Sequence, residues 1–253
     1  MLKLEKDMNK NIVYFDNAAT SWPKPDGILK AIEDGIVNIG ANPGRSGHSM
    51  SVEAARRVFQ ARELVSTFFN VGDSDRVAFT SNGTHALNMA INGFVGQSDH
   101  VITSSIEHNS VMRPLRYLEK ARGINLTVIG FRPDGTFDIE AFRETISNKT
   151  RLVVLNHASN VTGSILPIRE IGQICKDNNV KFLVDVAQTA GIVPIDMQKD
   201  NIDLLAFTGH KALFGPQGIG GLCINENIKI DSLMQGGSGS KSELEEQPDF
   251  LPD

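Results

Sequence analysis

A chain of 253 residues, 40% hydrophobic and 22% charged, is long enough to bury one large core or two modest ones. Its formal net charge of -5 and the lack of any basic cluster give no electrostatic footprint for nucleic acid. The start has no apolar secretory core, no later run approaches transmembrane length, and two cysteines make no disulfide framework, so a cytoplasmic enzyme is the expectation.

Two amphipathic helices, at about residues 25–38 and 51–69, come before the first central strand. Strands are then predicted at 76–80, 100–104, 125–129, 151–156, 181–185, 204–207 and 220–224, with helices at 84–93, 111–122, 139–146 and 167–178. Asp138 is the expected N-cap of the third of these helices, and Pro167 is expected in the first turn of the fourth. Strands alternating with helices of this size indicate an α/β fold with a mainly parallel sheet. After Ile230 the pattern gives way to a glycine-serine run and an acidic, proline-punctuated tail.

Two strand ends carry the chemistry. Phe182-Leu183-Val184-Asp185-Val186-Ala187-Gln188 ends an apolar run on a carboxylate. Phe207-Thr208-Gly209-His210-Lys211 ends another on a lysine that enters a glycine-rich turn. Open α/β sheets bind ligands outside the carboxyl ends of their strands. A lysine there can form a Schiff base with the aldehyde of pyridoxal phosphate, while an aspartate pairs with the protonated pyridine nitrogen. Either residue alone reads as an ordinary loop or strand end; the pair favours the cofactor.

Other motifs stay open between two readings. Ser81-Asn82-Gly83-Thr84-His85 makes a phosphate cup or a plain N-cap turn. His108, in Ile106-Glu107-His108-Asn109, could stack on a planar cofactor and move protons, or be a polar loop residue. Asn160 could bond a cofactor oxygen or a substrate carboxylate, whereas His157 reads as structural. In the loop at 42–48, Arg45 or His48 could face an anionic substrate, though its glycines and proline need no function. Cys175 shares an apolar face with Ile168, Ile171 and Ile174, and Cys223 falls in a strand, so both read as core thiols. The histidines lack close ligand spacing, so no metal site is expected. The glycine-rich runs at 215–221 and 236–242 fail the dinucleotide and P-loop contexts and read as mobile loops.

Six motifs occur in the order found in class V aminotransferase-fold enzymes. They are Tyr14-Phe15-Asp16-Asn17-Ala18-Ala19-Thr20, Gly83-Thr84, Glu107-His108, Ser159-Asn160-Val161, Asp185-Val186-Ala187-Gln188 and Thr208-Gly209-His210-Lys211. Within that group the chain resembles the cysteine desulfurases, with selenocysteine lyases close by, from about Asn11 to its last residue. Each motif is weak; the ordered set is strong.

The resemblance implies a pyridoxal phosphate-dependent transferase fold of the aspartate-aminotransferase type. Residues 1–40 would associate with a small domain, 41–235 would form the large cofactor domain, and 236–253 would begin a C-terminal region. Lys211 would hold the cofactor and move the substrate Cα proton, with its pKa lowered by burial. Asp185 would pair with the pyridine nitrogen, Gln188 would bond the phenolate oxygen and His108 would stack on the ring. Gly83, Thr84, Thr208 and His210 would bind the phosphate, with Asn160 and Ala18 beside the substrate.

The implied reaction converts L-cysteine to L-alanine in a homodimer. Sulfur passes to an enzyme cysteine as a persulfide, then to an acceptor protein in iron–sulfur cluster assembly. In the family the nucleophilic cysteine, an arginine for the substrate carboxylate and a segment reaching the partner subunit's phosphate site lie beyond the last residue here. The expectation is therefore a fragment that is inactive alone, poorly soluble or oligomeric through uncovered apolar surface. Selenocysteine cleavage, transamination and a non-catalytic scaffold are the other readings.

Overall fold

The computed structural model describes residues 12–44, 47–236 and 245–246. Arg45, the tail at 247–253, the first eleven residues and most of the glycine-serine run carried expectations and lie outside them.

Seven strands form one sheet in the order β1-β7-β6-β5-β4-β2-β3. They are β1 Val77–Thr80, β2 His100–Ser104, β3 Asn125–Ile129, β4 Thr150–Asn156, β5 Lys181–Asp185, β6 Leu204–Thr208 and β7 Gly220–Ile224. The run from β3 to β6 is parallel throughout, as expected, while β7 is antiparallel to both β6 and β1. The exception has a plain cause: a short turn without a crossover helix joins β6 to β7, which permits only antiparallel pairing.

Side chains alternate between the two faces of the sheet, with Val153, Leu155, Phe182 and Val184 in one core and Leu152, Val154 and Leu183 in the other. Because both faces are covered, these strands read in sequence as continuous apolar runs. Helices α3 (Gly83–Phe94) and α4 (Asn109–Ala121) cover the second face through Leu87, Ile91, Leu115 and Leu118. The other face receives α5 (Ile139–Thr145) through Phe142, α6 (Ile168–Asp177) through Ile171 and Ile174, and Phe69 at the end of α2 (Ser49–Phe69).

The caps explain several boundaries. Asp138 accepts the Ala141 N–H at 3.2 Å and starts α5, as its position in the sequence predicts. Pro167 sits one residue outside α6, at its N-cap position. The first helix differs most from expectation: α1 spans only Asp26–Asp34 and continues as a π-helical turn over Gly35–Ile39, closed by left-handed Gly40 at φ 45°. No residue of α1 is buried, and Leu29, Ile32, Ile36 and Val37 are exposed. It is tied to α2 through the Arg57–Asp34 ion pair at 3.2 Å.

The run at 215–221 is a packed approach rather than a loose loop. A Cβ on Gly220 would lie 2.6 Å from the Asn82 carbonyl carbon and 2.7 Å from the Phe207 carbonyl oxygen, both main chain. Gly220 thereby lets β7 press against the turn that starts α3. Gly220→Ala is expected to cost about 2 kcal/mol or more, read as a lowered thermal midpoint. Gly27→Ala, which meets nothing within 4 Å in α1, should be neutral or slightly stabilising.

Candidate active site

The parallel strands end along one edge of the sheet, and a cavity of about 300 Å³ lies there. In register, Asn156 at the end of β4 pairs with Asp185 at the end of β5, and Asp185 pairs with Ala206 of β6. Lys211 follows β6 by three residues. The cavity is lined by the residues that the family resemblance names, Ala18, Gly83, Thr84, His108, Asn160, Asp185, Gln188, Thr208, His210 and Lys211, but not by His48. Residues as far apart as His108 and Lys211 thus meet because adjacent parallel strands all end on one side, while Ala18 is brought there by the segment before α1.

Electrostatics at the centre are set by burial. Asp185 is buried, and desolvation pushes its carboxyl above the ordinary range, against the pull of the Ala187 N–H at 2.9 Å and of Lys211. Burial lowers the Lys211 amine below its usual value, with Asp185 opposing. His210 is lowered too, first by desolvation and then by the two ammonium groups of Lys211 and Lys24.

The helix N-termini supply the cup. Asn82 caps α3 by accepting the His85 N–H at 2.8 Å, which leaves Gly83 and Thr84 at the positive end of the helix on the cavity wall. His108 caps α4, its Nδ1 2.7 Å from the Ser110 hydroxyl and 3.2 Å from the Ser110 N–H. Ser110 in turn lies 2.8 Å from the Thr84 hydroxyl, so one buried serine braces two cavity residues. Gln188 is already engaged through Nε2, which donates to the Ala18 carbonyl at 3.1 Å. His48 caps α2 by accepting the Ser51 N–H at 3.2 Å and does not line the cavity.

Sequence reasoning missed Ser110, Asn156 and the Glu107 carboxylate. The Glu107 carboxylate accepts the Asn156 N–H at 2.9 and 3.0 Å and the Ser104 hydroxyl at 2.5 Å, tying β2 to β4 beside the cavity. A glutamate in the first turn after a strand and a serine two residues past a capping histidine were the available signals. Burial pushes Glu107 up to about 8. The folded state therefore holds a proton that the unfolded chain releases near pH 4.5, so this group's contribution to stability falls as pH rises through about 4.5 to 8. Glu107→Gln should remove that slope and gain on the wild type at pH 8 relative to pH 5, by on the order of a few kcal/mol. Thermal melts at both pH values would show it, and parallel curves would count against it.

Among the described residues, three buried polar atoms of cavity residues lack a hydrogen-bond partner: Asn156 Oδ1, Thr208 Oγ1 and His210 Nδ1. Buried polar groups are nearly always paired, so these fit a polar ligand in the cavity. Together with the positive end of α3 at Gly83 and Thr84, a desolvated lysine and a buried aspartate, they match the donor set for a phosphate, an aldehyde and a protonated ring nitrogen. The fold and the cavity define the cofactor domain of a pyridoxal phosphate enzyme.

Residues 13–248 match the aminotransferase class-V family, and the chain belongs to it. Members of this family depend on pyridoxal phosphate. The chain is 37% identical over 234 residues to the cysteine desulfurase IscS of Clostridium botulinum, covering 91% of this chain and 57% of that protein. The apo cysteine desulfurase of Thermococcus onnurineus NA1 superposes with a TM-score of 0.85 at 32% identity, covering 90% of this chain and 57% of the other. SspA in complex with cysteine gives 0.83 at 30% identity, covering 90% and 66%. The chain thus spans little more than half the length of the curated relatives it matches.

Proposed function

We propose that this chain is the cofactor-binding part of a cysteine desulfurase, releasing L-alanine from L-cysteine and passing the sulfur to a thiol. The observation that carries this is the meeting of Lys211 and Asp185 in one cavity that Gly83 and Thr84, at the start of α3, also line. Pyridoxal phosphate, when bound, supplies an aldehyde for the amino group and a protonated ring that withdraws electrons from Cα. Lys211 would hold the aldehyde carbon, and its free amine would carry the substrate Cα proton. Asp185 keeps the proton on the pyridine nitrogen. Gly83, Thr84, Thr208 and His210 take the phosphate, His108 covers the ring face, and Gln188 reaches the phenolate oxygen. Asn160 and Ala18 border the substrate.

The thiol does not come from Cys175 or Cys223. Both are buried, and desolvation drives both thiols far above the ordinary cysteine range, so neither supplies thiolate. A thiolate from another segment or molecule attacks the substrate sulfur. The sulfur–carbon bond then breaks with its electron pair returned toward Cβ, which takes up a proton in alanine. A homodimer, a sulfur-acceptor protein and a cytoplasmic setting belong to the same reading. Among the described residues, no helix is long and apolar enough to cross a membrane.

Residues 1–40 pack, on this reading, against a further domain. The exposed Leu29 and Ile32 on α1, Ile36 and Val37 on the π-helical turn, and Phe59, Leu64 and Phe68 on α2 support it, since clustered exposed apolar side chains mark a surface that another element covers. The isolated chain should therefore self-associate in sizing experiments, and a monodisperse monomer would count against that assignment.

The visible absorption of the chain with pyridoxal phosphate, before and after L-cysteine, tests the function. A band of bound cofactor that shifts with cysteine is expected, and a spectrum of free cofactor alone would sink the reading. With the further length of the relatives supplied and a reducing thiol in excess, alanine and sulfide should appear in equal amounts, the thiol being oxidised to its disulfide as it releases sulfide from the persulfide. Amino transfer to a keto acid without sulfide would point to a transaminase instead.

A further inference from the structure

The segment just before α1 is bound to the backbone on both sides of Lys211. The His210 carbonyl accepts the Ser21 N–H at 3.2 Å, the Thr20 hydroxyl at 3.0 Å and the Lys24 ammonium at 2.5 Å. The Lys211 carbonyl accepts the Ser21 hydroxyl at 2.7 Å, and Lys24 donates to that same hydroxyl at 2.8 Å. Ser21 is buried and Lys24 half-buried, so these bonds are shielded from competing water.

Holding the carbonyl before Lys211 and the carbonyl after it fixes both peptide planes that meet at its Cα. Those planes set φ and ψ of Lys211, and hence the direction in which its side chain leaves the backbone. Lys24 bonds to one carbonyl directly and orients the hydroxyl that holds the other. The remaining bonds to this turn, Gly209 N–H to Ile219, Phe214 N–H to Lys211 and Gly215 N–H to Gly209, are local and leave both planes free to move together as a loop. The long-range anchor is therefore the segment around Lys24.

We propose that Lys24, acting through Ser21 and the His210 and Lys211 carbonyls, is a positioning residue that aims the Lys211 amine into the cavity. Lys24 is not a catalytic residue on this view, since it touches the backbone and not the reacting atoms. The proposal rests on the reading of Lys211 as the cofactor-bearing lysine, and its test separates the two.

Lys24→Met removes the donors and keeps the length of the side chain; Lys24→Arg keeps donors and charge. Lys149→Met is the control at an exposed lysine. In the full chain without cofactor, Lys24→Met should raise amide exchange at Phe214 and Gly215 about tenfold, with β2 to β5 unchanged, and Lys24→Arg should stay near wild type. The rate of borohydride-trapped pyridoxal phosphate at Lys211 should fall about tenfold in Lys24→Met and recover in Lys24→Arg, because small misplacement costs large factors in rate. Visible circular dichroism per trapped cofactor should change alongside, as it reports ring orientation.

Exchange in that turn equal to the Lys149→Met control would overturn the anchor, as would an equal rise in the distant strands. Raised exchange with an unchanged trapping rate would overturn the positioning role. The exchange readout needs no cofactor. A wild-type chain that never traps pyridoxal phosphate would remove the proposed function, and the aiming role with it, while the anchor stood or fell on exchange alone.

Discussion

Replacing Lys211 by alanine is expected to abolish borohydride-trapped pyridoxal phosphate while leaving the fold intact. Trapping requires a neutral amine within reach of the aldehyde. An ordinary lysine, with its pKa near 10.4, is about 99.9% protonated at neutral pH, and each unit of lowering raises the free amine about tenfold. Burial lowers Lys211 in this direction. The selectivity of the reaction for Lys211 should therefore be greatest near neutrality and fade as pH climbs toward the ordinary lysine range. Removing a desolvated cation relieves an electrostatic cost, so the melting temperature of Lys211→Ala should be unchanged or raised. Peptide mapping of the reduced adduct would locate the cofactor, and adduct at undiminished yield in Lys211→Ala would remove the central assignment.

How much of this was legible in the sequence depends on how local the cause was. Strands β2, β5 and β7 have the residue bounds that the apolar runs predict, because a strand buried on both faces is marked at each end by polar or turn residues, and β3 matches its predicted bounds too although it lies at the sheet edge with only Ile129 buried. Helices α3 and α4 begin one and two residues earlier than their apolar period suggests, since Gly83 and Asn109 are polar-turn residues that only the capping geometry recruits. The pattern at 25–38 was truly amphipathic, yet nothing among the described residues covers α1, so its apolar stripe is exposed and its last turn loosens into π geometry after Gly35.

The candidate site was legible where strand ends carry it. Asp185 and Lys211 needed only the rule that ligands gather at the carboxyl edge of the sheet, while Thr208 entered through the family resemblance. Ser110, Asn156 and the bonds from Thr20, Ser21 and Lys24 were not legible in that way. Each depends on which segments dock together across dozens or nearly two hundred residues, and a hydroxyl or amide carries no periodic signal. Gln188 lines the cavity, and one N–H of its Nε2 donates to the Ala18 carbonyl, leaving the second free to donate elsewhere. That bond ties the loop bearing Ala18 to the turn after β5, a link that no reading of either segment alone supplies.

Asp185→Asn should move stability and chemistry in opposite directions. Desolvation raises the Asp185 carboxyl, so its ionised form is disfavoured in the fold, and this contribution to stability falls as pH rises above the ordinary aspartate value. An asparagine keeps an oxygen for the Ala187 N–H that Asp185 accepts at 2.9 Å, yet carries no buried charge. The cofactor-free variant should therefore melt higher than the wild type at pH 7, with the gain shrinking toward pH 4. With pyridoxal phosphate present, exchange of an amino acid's Cα proton for solvent deuterium should fall about 10²-fold or more, the scale for losing one fixed electrostatic partner of developing charge. An amide cannot hold a proton on the pyridine nitrogen, and without that proton the ring withdraws electrons poorly. The opposition is diagnostic, since a residue kept for stability would lose stability on replacement. Raised melting with undiminished deuterium exchange would mean that Asp185 is a strained buried carboxyl whose partner is not the ring nitrogen.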